Sequence, residues 1–253
     1  MKRLATAAIA IPLALLLTQY SPDWLFAIVA GVLAAMMLDE FLNMSAATGI
    51  GRPGRWFLVP GGLVAASFLY YPGGVVFSAA AAALCLTTSS VFGQDLQKAF
   101  GRVSAGLGGM VYCAVLPGFL LLLPRPAIFV LFAVIWAGDS AAYYGGRALG
   151  KHLLAPRVSP KKTVEGSVAG LIGSIVAGTA MGVWLLPMPW PALAGICAVT
   201  AVAGQVGDLA ESALKRSSGV KDSSSILPGH GGILDRLDSL LFAAPVFFWL
   251  FNA

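Results

Sequence analysis

Apolar residues in this chain come in long unbroken runs, and polar residues collect in short connections between them. The runs are residues 4–20, 24–43, 56–71, 74–91, 103–123, 126–146, 164–186, 191–214 and 237–252. A hydrocarbon core about 30 Å thick needs about 20 residues of helix, so each run is read as a membrane-crossing helix. The alternation of polar and apolar positions that a transmembrane barrel needs is absent. Turn chemistry separates the runs at Ser21-Pro22-Asp23, Gly51-Arg52-Pro53-Gly54, Tyr71-Pro72-Gly73-Gly74, Pro124-Arg125-Pro126 and Pro187-Met188-Pro189. The expected architecture is all-α and polytopic, with about nine transmembrane helices in one membrane domain (1–253). It divides into N-terminal helices 1–5 (1–123) and C-terminal catalytic helices 6–9 with their loops (124–253).

Composition agrees with the pattern. Hydrophobic residues make up 58% of the 253 and charged residues 11%, with a mean hydropathy of +0.84, too apolar for a water-soluble domain. Charge then sets orientation. The N-terminus and the even-numbered loops hold 15 of the 16 Lys and Arg, and Arg125 stands alone on the other side. The N-terminus is therefore expected in the cytoplasm and the C-terminus outside. The net charge of +5 is explained by topology and anionic headgroups, and gives no support for nucleic-acid binding. The first run lacks a persuasive cleavage site and is read as a retained anchor. Cys85, Cys113 and Cys197 fall inside apolar runs without paired spacing, as small hydrophobes do.

Ionisable groups at membrane depth persist where they line a wet cavity or bind something, and here they gather toward one end. Between Ser212 and Asp238 lie four cations, three carboxylates, a histidine and four glycines. In the sixth run, W-A-G-D-S-A-A-Y-Y-G-G-R places Asp139, Tyr143 and Arg147 every fourth residue on one face. The following loop ends S-P-K-K-T-V-E-G, in which Ser159-Pro160 is expected to start a helix with Lys161 and Lys162 in its first turn. Cations there oppose the macrodipole unless an anion such as phosphate occupies that end. The eighth run puts Asp208, Glu211, Ser212 and Lys215 on one face. Asp235 and Asp238 begin the ninth run, and with Asp208 they would make an oxygen-rich site suited to Mg²⁺. Such parts serve phosphoryl or nucleotidyl transfer, where catalysis is mostly positioning and charge neutralisation.

Other polar residues have plainer readings. Lys2, Arg3, Arg52, Arg55, Lys98 and Arg102 set topology. Asp95 is solvated. His230 taken alone is a capped loop residue. Asp39-Glu40 reads equally well as a pair of interfacial acids or as something functional. The Gly and Ala of runs seven and eight serve close helix packing.

The segment S-A-L-K-R-S-S-G-V-K-D-S-S-S-I-L-P-G-H-G-G-I-L-D-R-L-D closely resembles the signature of bacterial-type phosphatidate cytidylyltransferases, and the 136–147 and 159–166 blocks resemble a second characteristic region. The resemblance covers the C-terminal half, while the N-terminal half matches in hydropathy. It implies Mg²⁺-dependent condensation of CTP with phosphatidate to CDP-diacylglycerol and pyrophosphate, at the cytoplasmic face of a bacterial inner membrane. It also implies Asp208 and Asp235 as metal-site carboxylates, for a divalent cation and a monovalent one such as K⁺, with Asp139 and Glu211 as further candidates. Lys215 and Arg216 join Asp208 and Asp235 as catalytic candidates. Ser159, Lys161, Lys162, Thr163, Glu165, Ser212, Lys221, Asp222, His230, Gly231, Gly232 and Arg236 are the implied substrate-binding set. Neither a nucleic-acid partner nor a particular acyl chain is implied, and a homodimer is left open. Two rival readings are a CTP-dependent polyprenol or dolichol kinase, which would move the γ-phosphate, and a cation-coupled transporter. Against the transporter, the two halves show no evident repeat and the charges avoid the midplane.

Overall fold

The apolar runs become helices where they were expected. The computed structural model describes residues 2–70, 73–92, 95–227, 229 and 231–253. Its helices are α1 (Lys2–Tyr20), α2 (Asp23–Ala47), α3 (Leu58–Tyr70), α4 (Gly74–Val91), α5 (Ala99–Leu122), α6 (Arg125–Leu149), α7 (Val164–Leu185), α8 (Trp190–Ser217) and α9 (Leu234–Phe251). Six of them, α2 and α4 to α8, are long and apolar enough to cross a membrane, and the protein is a polytopic membrane protein. The other three expected spans are less complete. In α1 the apolar stretch is Ala10–Tyr20, and α3 with the 3-10 turn before it reaches only Arg55–Leu69. Helix α9 opens with Asp235, Arg236 and Asp238 among its first five residues. Helix α5 is not uniform: a π turn at Val111–Val115 and a 3-10 end at Phe119–Leu122 flank Pro117. Pro117 lacks the N–H that would continue the α ladder.

The chain forms two compact units. One comprises the residues up to Leu122 together with Leu214–Leu237; the other comprises Leu123–Ala213 and Asp238–Ala253. The 214–237 segment packs with the N-terminal helices.

In the first unit α2 and α3 cross at paired glycines. A Cβ on Gly31 would lie 2.9 Å from the Gly62 carbonyl oxygen, and one on Gly62 would lie 2.8 Å from that of Gly31. Only glycine allows that approach in both directions. Leu38, Leu42, Phe57 and Leu86 fill its core, and Arg52 pairs with Asp39 at 3.0 Å.

In the second unit α6 packs along α7 through the small residues foreseen for it. Cβ atoms on Gly170 and Gly173 would crowd the Gly138 and Ala137 carbonyl oxygens. The buried Ser174 hydroxyl donates to the Val134 carbonyl at 2.7 Å. Ile128, Leu131, Leu193, Leu241 and Phe247 are buried there.

The stretch expected to begin a helix at Ser159 is a strand instead. Residues Leu153–Ala155 (β1) and Ser159–Thr163 (β2) form an antiparallel ribbon with Leu153 opposite Thr163. Helix α7 begins only at Val164, because Thr163 is its N-cap: the hydroxyl accepts from the Gly166 N–H at 3.1 Å. Lys161 and Lys162 thus avoid the positive end of the dipole, and the first turn carries Glu165, the favourable sign. Glu165 also ties down the ribbon. It accepts from the Lys151 and His152 N–H groups at 3.0 and 3.2 Å, and His152 Nδ1 lies 2.6 Å from its other oxygen.

Candidate active site

The second unit holds a cavity of about 710 Å³, within the size range of sites for cofactors and other small ligands. One wall is α6, from Val134 and Ile135 past Gly138 and Asp139 to Tyr143 and Arg147. At 1.5 Å per residue that wall runs roughly 20 Å along the helix. The i, i+4 spacing read from the sequence therefore does put Asp139, Tyr143 and Arg147 on one lined surface. Opposite stand Ser159, Lys161, Lys162 and Thr163 from β2, and Gln205 and Asp208 from α8. One end of the α6 wall is apolar and the other charged, as an amphiphilic ligand requires.

Charge in this cavity is balanced by contact. Lys162 Nζ forms an ion pair with Asp208, each side chain roughly one third exposed. Ser167 and Gln205 bond each other twice, the hydroxyl to the amide oxygen and the amide nitrogen to the Ser167 carbonyl at 3.0 Å, which fixes the side-chain amide in the wall. Glu211 is fully buried one turn beyond Asp208, with Ser212 half-buried beside it. Asp238, in the same unit, lies within electrostatic reach of Asp208, Glu211 and Asp139. The acidic set read from α8 and α9 in the sequence already grouped Asp238 with Asp208.

The first unit holds the rest of the motif. Helix α8 ends in a Schellman turn: Val220 N–H donates to the Lys215 carbonyl at 3.0 Å and Gly219 N–H to that of Arg216 at 3.2 Å. Gly219 sits at φ +74°, where a side chain would be strained. The loop then folds over Asp235. One carboxylate oxygen is 2.5 Å from Lys215 Nζ. The other accepts from the Ser223 N–H at 2.9 Å, the Ser223 hydroxyl at 2.8 Å and the Gly232 N–H at 2.7 Å. Burial disfavours the charged carboxylate, yet the Lys215 ammonium and the Gly232 and Ser223 donors outweigh it. Asp235, which precedes the ninth apolar run, is held below the ordinary carboxylate range. Gly231, at φ +80°, passes so near that a Cβ would lie 2.5 Å from Asp235 Oδ2.

Asp208 and Asp235 are thus each held by a lysine of their own unit, Lys162 and Lys215. Arg216, Lys221, Asp222 and Arg236 are exposed. The expected contribution of His230 lies outside the described residues. Sequence reasoning had no reason to choose Ser223, Ser224, Ser167 or Gln205, whose types are common in loops and helices, and it left Glu40 undecided.

Comparison with known proteins resolves what this constellation belongs to. The cytidylyltransferase family profile matches residues 1–253. The chain belongs to the cytidylyltransferase family. It is similar to the phosphatidate cytidylyltransferase of Staphylococcus aureus (strain COL), 34% identical over 250 residues, covering 87% of this chain and 86% of that protein. The namesake from Staphylococcus haemolyticus is likewise 34% identical, over 248 residues and 86% of each chain. The phosphatidate cytidylyltransferase of Bacillus subtilis (strain 168) is 52% identical over 124 residues, 49% of this chain and about half (46%) of that protein. Membership makes the protein a nucleotidyltransferase.

A family of this chemistry calls for a divalent cation, and the donor set can be compared with that need. The carboxylates of Asp208, Asp238, Glu211 and Asp139 are hard oxygen donors of the type Mg²⁺ accepts. Among the described residues, no three His, Cys, Asp or Glu side chains are grouped tightly enough to hold an ion between them. Mg²⁺ seldom takes an all-protein cage and is commonly held by one or two carboxylates together with substrate phosphates. The residues fit such a cation.

Proposed function

We propose that this protein transfers the cytidylyl group of CTP to phosphatidate, forming CDP-diacylglycerol and pyrophosphate for phospholipid synthesis. The observation that carries this reading is the cavity in which Lys161, Lys162 and Arg147 meet Asp139 and Asp208 beside an apolar wall. A lipid phosphate and its acyl chains need both kinds of surface. The relatives' names point to the same reaction.

An oxygen of the phosphatidate monoester attacks the α-phosphorus of CTP in line. A phosphoanhydride bond forms, the bond from the α-phosphorus to the bridging β-phosphate oxygen breaks, and pyrophosphate leaves with that electron pair. The second pKa of a phosphate monoester is about 6, so the nucleophile is already largely ionised at neutral pH and needs no strong base. Lys161 and Lys162 neutralise phosphate charge, and Arg147 offers a planar donor fork. Thr163 and Glu165 hold the ribbon that presents the lysines. Asp208, with Asp139 and Glu211 as further candidates, would hold Mg²⁺, which would supply charge neutralisation on the triphosphate, while Asp235, the other carboxylate implied for the metal, is engaged by Lys215 and the Ser223 and Gly232 donors. Lys215, Arg216, Lys221 and Arg236 supply cations at the loop, which with Gly231, Gly232 and, by the resemblance, His230 belongs to the nucleotide-binding set. The charge asymmetry of the loops supports a cytoplasmic position for this site, and the bacterial relatives support a cell membrane.

The test is incubation of purified protein with Mg²⁺, phosphatidate and CTP labelled at the α or γ position. Label from the α position in a lipid, with pyrophosphate released, supports the proposal. Label from the γ position in a lipid, with CDP released, replaces it with a kinase.

A further inference from the structure

Glu40 lies on α2, two turns before its end, and is 1% exposed. A buried carboxylate is costly unless hydrogen bonds replace water, and this one is supplied from a single distant stretch of chain. Ser224 Oγ donates to Oε1 at 2.7 Å and Ile233 N–H to the same oxygen at 2.9 Å. Ser223 Oγ and Leu234 N–H each lie 2.8 Å from Oε2. Three donors of its own and the Ser223 hydroxyl, whose one proton is shared with Asp235, meet the roughly four acceptor sites of an ionised carboxylate. The partners lie 183 to 194 residues away in sequence, so local structure cannot have placed them.

The arrangement closes a loop. Ser223 and Ser224 lie near its start, and Ile233 and Leu234 are its last residue and the first of α9. Glu40 grips both ends, and its charge sits at the N-terminus of α9, where the helix dipole favours an anion. At Gly232 the loop passes so close that a Cβ would run into Glu40 Oε2 and Ser223 Oγ. The Ser223 hydroxyl lies 2.8 Å from both Glu40 and Asp235, so the single proton it can donate links the two carboxylates into one network.

We propose that Glu40 is a positioning residue for cytidylyl transfer: through Ser223, Ser224 and the Ile233 and Leu234 amides it holds the 223–234 loop in the shape that receives the nucleotide. This rests on the reading of that loop as part of the nucleotide-binding set. Glu40→Gln keeps the size of the side chain but turns an amide N–H₂ toward backbone and hydroxyl donors, so at least one contact becomes donor against donor.

The experiment uses the full chain in detergent and measures equilibrium binding of α-labelled CTP, hydrogen exchange of the 223–234 amides, and KM for each substrate. Glu40→Gln should weaken CTP binding by about tenfold or more, as loss of charge-assisted bonds does. It should speed exchange at Ile233 and Leu234, and leave KM for phosphatidate within about twofold, because only the nucleotide-binding loop is loosened. Ser224→Ala, which removes one donor from a half-buried position, should move CTP binding the same way by about two- to fivefold, and it keeps the test available if Glu40→Gln does not fold. Asp39→Asn, the neighbouring acid paired with Arg52, serves as the control and should change none of the three readouts. Unchanged CTP binding in both Glu40→Gln and Ser224→Ala would overturn the proposal, as would faster exchange without weaker CTP binding, which makes Glu40 a structural clamp only. Because CTP binding is measured without turnover, failure of the wild-type protein to make CDP-diacylglycerol would count against the assigned reaction and leave the role of Glu40 decided by binding.

Discussion

Removing the Lys215 ammonium should destabilise the protein even when no substrate is present. Lys215 and Asp235 pair at 2.5 Å with side chains only 11% and 4% exposed. Breaking a buried pair from one side typically costs about 3–5 kcal/mol, because the surviving charge is left without its partner. For Lys215→Met the lower end applies: Asp235 keeps the Ser223 N–H, Ser223 hydroxyl and Gly232 N–H, and Met preserves most of the side-chain volume. About 3 kcal/mol corresponds to a fall in Tm of roughly 6–12 °C for a chain of this size. Asp235→Asn should cost a similar amount, since its amide nitrogen would meet donors. In the double variant both charges are gone, so the losses should not add; a coupling of roughly 1.5–3 kcal/mol is expected. The assay is thermal unfolding in one detergent, without nucleotide or divalent cation, followed by tryptophan fluorescence and by the monodisperse fraction on gel filtration. Additive losses, or a Lys215→Met variant within about 0.5 kcal/mol of the parent, would refute the pairing and leave Lys215 free to meet phosphate in the resting protein.

Three further outcomes follow from the same structure. Asp208→Asn should abolish most CDP-diacylglycerol synthesis, by about a hundredfold or more, at unchanged protein level; near-normal synthesis would remove Asp208 from the metal assignment. Gly138→Ala drives a methyl group into the Ser174 hydroxyl, which is bonded to the Val134 carbonyl; overpacking of this kind costs about 1–3 kcal/mol, measurable as a lowered Tm. The carboxyl of Asp235 is held below its ordinary value, so its contribution to stability is complete above the ordinary carboxylate range and disappears only as pH falls beneath it. A stability profile over acidic pH should therefore lose a step at its acid end in Asp235→Asn, and an unaltered profile would count against that shift.

Helix positions were legible in the chain because each apolar run must satisfy its own backbone hydrogen bonds in lipid, a requirement that depends on local sequence alone. The shared face of Asp139, Tyr143 and Arg147 was legible for a similar reason, since helical periodicity is local. That the glycines of α7 serve close packing could be read from its run of Gly and Ala, because small residues are what such contacts need, but that the partner is α6 could not. The error at Ser159–Thr163 shows where local reasoning stops. Ser-Pro followed by two lysines is compatible with a helix start, but the N-cap went to Thr163, and pairing with Leu153–Ala155 made the preceding segment a strand.

What the sequence by itself determined is a membrane protein built of apolar helices, with lysines and carboxylates concentrated in its C-terminal half. The tertiary structure alone decided who holds whom. It paired Lys162 with Asp208 and Lys215 with Asp235, grouped residues 214–237 with the N-terminal helices, and gave Glu40 four donors from a loop more than 180 residues away. The physical reason is that a buried carboxylate takes its donors from whatever the fold brings near it, and sequence separation carries no information about that. Glu40 could be read as an interfacial acid until the loop closed around it.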